Sequence, residues 1–165
     1  MRKRLISRNK LKERNYFERY EREGFCEPKA YQLLGVSDAL LDSMYYQALS
    51  YLKYHDTQDA EDSFRLLCKL HPYDPEYWYG LAKTLREEGK YEEALSSACV
   101  AETIDPYCLE YYEEAIQSCL DASKPKMAHA IFKRMKALFR TYPPDKERSH
   151  KIDLIKERIN TKTEK

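Results

Sequence analysis

A chain of 165 residues with 35% charged side chains, four glycines against fifteen tyrosines and a formal net charge of +1 reads as one soluble, helical domain, large enough to bury a core. No apolar run reaches the roughly 18 residues of a membrane span, and the opening MRKRLISRNK lacks the apolar segment of a secretory signal. The chain is therefore expected to stay in the compartment where it is made, without stable membrane insertion. Cys26, Cys68, Cys99, Cys108 and Cys119 are odd in number and form no C-x-x-C pair, which argues against a disulfide framework or a zinc ribbon. There is no G-x-x-x-x-G-K-[ST], G-x-S-x-G or H-E-x-x-H motif, so neither an enzyme, a metal site nor a cofactor is expected.

Residues 1–23 form a basic arm, with nine Lys/Arg and four Asp/Glu; residues 140–165 carry eight and five. The remaining body, 24–139, is then acidic, with twelve basic and nineteen acidic residues. A basic arm can bind nucleic acid or lipid, but one this short is more often a solvated tail, and no nucleic-acid partner is expected. Tethering through this arm stays as an alternative.

Residues 24–43 form a leading helix region. Gly24 and Pro28 break the chain before a short apolar turn or helix, Ala30 to Leu34, ended by Gly35. Ser37 is a candidate N-cap for a helix through Leu40, Leu41, Met44, Ala48 and Tyr51. Asp56 to Asp59 are expected to turn the chain, and Ala60 to Lys69 to form a second helix, with His71 to Pro75 as the break after it.

From Met44 a 34-residue unit is written twice, 44–77 over 78–111. Tyr45 aligns with Tyr79, Ala48 with Ala82, Ala60 with Ala94, Ser63 with Ser97, Pro72 with Pro106 and Tyr77 with Tyr111. A fixed period of this length signals stacked helical hairpins. A weaker third copy runs to Phe139, with Ser123 where Gly89 stood and Arg140 in place of the closing proline. It should comprise helices from about Leu109 to Leu120 and from Lys126 to Phe139, stopped by Pro143 and Pro144. In 140–165 a capping helix from Asp145 to Asn160 places Ile152, Ile155 and Ile159 on one stripe, as the end of a stack requires.

The second copy resembles the tetratricopeptide repeat: Trp78, Leu81 and Ala82 on a first helix, Gly89 and Tyr91 at the turn, Ala94 and Ala101 on a second helix, then Pro106. The resemblance implies an all-α superhelix of three hairpins, 44–139, with flanking helices at both ends. In such stacks the first helices line a concave side. The positions left over from packing there are Asp42, Tyr45, Leu49 and Leu52, then Glu76, Tyr79, Lys83 and Arg86, then Glu110, Glu113, Gln117 and Leu120. An alternative for Tyr45, Leu49 and Leu52 is packing against Leu33, Leu34 and Leu40.

The run Leu41 to Ala48, the element Phe64-Arg65-Leu66-Leu67-Cys68-Lys69-Leu70, the pair Tyr73-Asp74 and the step Tyr79-Gly80-Leu81-Ala82 resemble the class II chaperones of bacterial type III secretion, the SycD/LcrH/IpgC/SicA family, over about 100 residues. The resemblance implies a bacterial cytoplasmic, ATP-independent chaperone that keeps hydrophobic translocator proteins soluble before export, forms homodimers, and takes an extended P-x-L-x-x-P-like segment in its groove. The groove role falls on Tyr45, Leu49, Leu52, Leu70 and Tyr79. The chain departs from the family in its near-neutral charge and in Tyr112 to Gln117, which replace the family's Phe-His-Ala-Ala-Glu-Cys run. A general tetratricopeptide adaptor for another peptide is the competing reading.

Overall fold

The computed structural model describes residues 30–141 and 146–163, which fall in two units, Met1–Gly35 and Val36–Lys165. The basic arm 1–23, the break at Gly24 and Pro28, Cys26 and the stop at Pro143 and Pro144 lie outside the described residues. In the first unit α1 (Ala30–Leu33) is a single turn, closed by Gly35 at φ 74°.

The second unit holds α2 (Asp38–Lys53), α3 (Thr57–Leu70), α4 (Pro75–Glu87), α5 (Tyr91–Ile104), α6 (Leu109–Asp121), α7 (Pro125–Thr141) and α8 (Lys146–Thr163). All regular structure among the described residues is helical. The helices pair as hairpins α2–α3, α4–α5 and α6–α7, the tetratricopeptide arrangement. No described helix is long and apolar enough to cross a membrane.

Local chemistry sets the helix ends. Ser37 caps α2, its Oγ accepting from the Leu40 amide at 3.2 Å, and Asp74 caps α4 by accepting from the Glu76 amide at 2.9 Å, with Pro75 at the first helical position. Helix α3 begins at Thr57, three residues before the expected start at Ala60. Asp56 is its N-cap residue and Asp59 lies in its first turn, so the acidic run read as a turn instead complements the positive end of a helix dipole.

Every first helix ends alike. His55, Gly89 and Ser123, 34 residues apart, have φ of 60°, 79° and 56°. The amide after each reaches back five residues: Asp56 to the Tyr51 carbonyl at 2.9 Å, Lys90 to Leu85 at 2.9 Å and Lys124 to Cys119 at 2.8 Å. This is a left-handed helix stop in which only the second repeat has the unstrained residue. The second helices stop by different means. Both α3 and α5 have 14 residues with proline two positions beyond; α7, with Arg140 in the proline's place, runs to 17.

Within the stack α2, α4 and α6 are neighbours in order, and α8 follows them, packing on α6 and α7 as α4 packs on α2 and α3. Ala48, Ala60, Ala82 and Ala94 are fully buried where helices cross, so small side chains permit the close approach. Gly80 lies against the ring of buried Phe64: a Cβ there would collide with Cε1 and Cζ and sit 2.7 Å from Cδ1. The F-x-x-L-C-x-L element and the G-L-A step thus form one contact. Ile155 and Ile159 of α8 enter the main core with Ile116, Met135 and Phe139, each isoleucine contributing about 1.5–3 kcal/mol by burial. Cys68, Cys108 and Cys119 are buried and Cys99 half-buried.

Acid–base pairs join successive second helices and the turns leading into them. Arg65 of α3 meets Glu93 of α5 at 2.8 Å, and Glu61 of α3 meets Lys90 at 2.7 Å. Glu102 of α5 meets Arg134 of α7 at 2.6 Å, and Glu92 meets Lys124. Glu61 is buried; the bond from Lys90, then that from Arg65, outweighs burial and holds its carboxyl down to about 2.

Candidate functional site

The side chains offered by the first helices build the candidate site. Tyr45, Leu49 and Leu52 of α2 are half-buried, as are Glu76, Tyr79, Lys83 and Arg86 of α4. Leu70, also expected to line the groove, belongs to the last turn of α3 rather than to a first helix and is buried, 9% exposed.

Glu76, one of the positions that helical counting puts on this face, is its hub, a role that counting alone does not give. One carboxylate oxygen accepts from the Tyr111 hydroxyl at 2.8 Å and the other from the Tyr45 hydroxyl at 3.3 Å, so α4 is tied to both α6 and α2. The Tyr45 ring packs at 5.5 Å on Tyr77 and edge-on to Phe64 at 6.2 Å. Burial, then the Glu76 and Asp74 carboxylates, pushes the Tyr45 phenol well above its ordinary value, so it stays a donor at any physiological pH.

Tyr79 leans on Tyr111 with ring centroids 5.2 Å apart, and the Lys83 ammonium stands 4.6 Å from the Tyr79 centroid. The Tyr79 phenol is pushed up as well, by burial first and then by Glu114 and Glu110. Lys83 has no acidic partner among the described residues, and a cation over an aromatic face contributes only about 0.5–1 kcal/mol where water has access. It can swing off the ring to meet a ligand carbonyl or carboxylate. Arg86, also expected to be available, is committed: its Nε donates to buried Glu114 at 2.5 Å and Nη1 lies 3.7 Å from Asp121.

The far end of the face is closed by α8. Lys151 lies 3.6 Å from Glu110, Arg158 donates to Gln117 at 3.2 Å and reaches Glu113 at 3.4 Å, and Lys162 lies 3.3 Å from Asp121. Leu120 is buried. The face therefore grades from an aliphatic and tyrosine-rich end on α2 and α4 to a charge-neutralised end on α6. The signal for this closure was present: 151, 158 and 162 share one helical face, opposite an acidic stretch of α6.

Residues 75–97, from the start of α4 into α5, match the family model described as tetratricopeptide repeat. Solved structures share the fold. A chain of a T3SS complex from Aeromonas hydrophila is similar at a TM-score of 0.72 and 19% identity, over 91% of this chain and 98% of that one. The Yersinia enterocolitica type III secretion translocator chaperone SycD gives 0.70 and 22%, over 79% and 98%. PcrH of Pseudomonas aeruginosa, in complex with the chaperone binding region of PopD, gives 0.68 and 23%, over 78% and 97%. No curated protein matches this sequence. The structural neighbours thus include a type III secretion translocator chaperone, and at these identities what is shared is the fold.

Proposed function

We propose that this protein is a cytoplasmic chaperone of type III secretion, binding a hydrophobic translocator through the face of α2 and α4 and keeping it soluble until export. The observation that carries the reading is the juxtaposition on one face of half-buried Tyr45, Leu49, Leu52 and Tyr79 with the unpaired Lys83, in a fold shared with a type III secretion chaperone solved in complex with a peptide of a translocator. Apolar anchors seat an extended segment, and Lys83 fixes its direction. Occupancy alone then performs the task, because covered apolar segments can neither aggregate nor insert in the wrong membrane.

An adaptor that clamps a peptide's terminal carboxylate fits less well: it needs several converging cations, and Arg86 is held by Glu114. A homodimer is part of the proposal. Co-expression with a candidate translocator, followed by size-exclusion chromatography with light scattering, tests the reading. A soluble complex that requires this chain is expected; insolubility of every translocator tried would overturn it. Tyr79→Ala is expected to weaken a bound translocator peptide by about tenfold in calorimetry with helical content unchanged. Equal affinity would remove Tyr79 from the site.

A further inference from the structure

The outer edge of the third hairpin is chemically unlike the two before it. Helix α7 contains Lys126, Lys133, Arg134, Lys136 and Arg140 and no acidic residue. Arg134 is taken by Glu102. The other four make no ion pair among the described residues, and with His129 they stand at i, i+3, i+7, i+10 and i+14, all exposed. At 1.5 Å per residue this is one stripe about 21 Å long. Exposed Ala130 and Ala137 beside it leave room for another backbone.

The 34-residue register says what the stripe is for. His129, Lys133 and Lys136 occupy the positions that Glu61, Arg65 and Cys68 hold in α3, and Arg65 and Glu61 are the groups that seal α3 to the following hairpin through Glu93 and Lys90. Position 102 of α5, equivalent to 136, does the same through Arg134. In α7 the corresponding edge meets no further second helix among the described residues, although α8 already stands where the first helix of a fourth hairpin would.

We propose that this stripe docks a carboxylate-bearing helix of a partner protein, which takes the place of the second helix of a fourth hairpin. Charge complementarity selects the partner: four unpaired cations and no acid on α7, at an edge the fold elsewhere closes with Glu93. A second copy of this chain is the poorer fit, because its α3 would arrive with its own α2, whose place α8 holds.

Fluorescence anisotropy on the full chain tests this at low salt, with a fluorescein-labelled, alanine-based helical peptide of about 18 residues carrying Glu at alternating three- and four-residue spacing. Lys133→Glu/Lys136→Glu is expected to weaken binding by about tenfold or more, and Lys133→Gln/Lys136→Gln by less. Lys53→Glu/Lys69→Glu, the same change in net charge on α2 and α3, is expected to bind like wild type. Tyr79→Ala should also leave this peptide's affinity unchanged, which separates the stripe from the groove. No detectable binding, equal binding by wild type and Lys133→Glu/Lys136→Glu, or an equal loss in the Lys53/Lys69 control would overturn the proposal. So would tighter binding of duplex DNA or of phosphatidylglycerol vesicles.

Discussion

Gly80→Ala sets two effects of opposite sign against each other. Gly80 lies inside α4, where alanine is the better helix former by about 1 kcal/mol. Its missing Cβ, however, is where the Phe64 ring lies, with Cδ1 2.7 Å from the ideal Cβ position and two further ring carbons closer. That ring is fully buried and has Tyr45 edge-on against it, so it cannot rotate out of the way. Overpacking of this kind costs about 1–3 kcal/mol and more where the neighbour is pinned. We expect a net loss of about 1–2 kcal/mol, a fall in melting temperature of roughly 2–8 °C for a chain of this size. Thermal and urea unfolding followed by far-UV circular dichroism would read it. Phe64→Leu should restore part of the loss in the double variant, with a coupling energy above about 0.5 kcal/mol. A Gly80→Ala protein as stable as wild type, or more so, would refute the claim that α3 and α4 meet through this glycine.

At the left-handed stops, His55→Gly and Ser123→Gly should each raise stability by roughly 0.5 kcal/mol, the relief of strain exceeding the entropy glycine adds to the unfolded chain. Gly89→Ala should lower it by about 1 kcal/mol through backbone strain alone, since nothing lies within 4 Å of the added Cβ; unchanged urea midpoints in all three would contradict this. Because Glu61 is held down to about 2 from an ordinary 4.5, its pairing stabilises the fold above about pH 4.5 and is lost as pH falls through about 2. Lys90→Met should flatten the decline of urea midpoint across that window, and an identical slope in both proteins would show that Lys90 is not the cause. Ile155→Ala, emptying a site only 1% exposed, should cost about 2–5 kcal/mol, whereas a loss below 1 kcal/mol in urea unfolding would mean that α8 is not part of the core.

The second repeat was legible because each of its signature residues does one local job: Gly89 takes the positive φ, Ala82 and Ala94 set the helix spacing, and Pro106 follows the stop. The third repeat read as degenerate for the same reason. Ser123 holds a conformation that does not favour it, and α7 outruns its siblings without a closing proline. The positions of the candidate face followed from helical counting, but their availability did not. Arg86 and Lys83 look equivalent in sequence; only the stack shows that Glu114, 28 residues on, claims the first and leaves the second free. The basic C-terminal stretch could likewise be counted but not paired, because its acidic partners lie 41 to 45 residues away on α6.

The shared acceptor at Glu76 bears on how the stack comes apart. In a linear array each hairpin touches only its neighbours, so such arrays can melt piecemeal, unzipping from an end. A single carboxylate on the middle hairpin that holds one tyrosine from the hairpin before and one from the hairpin after gives the outer two a common dependency. Loss of either end hairpin withdraws a donor from the same buried-side oxygen pair and loosens the remaining one's anchor. The three hairpins should then lose structure in one cooperative transition, so a chain with one end hairpin frayed and the rest intact is a sparsely populated state.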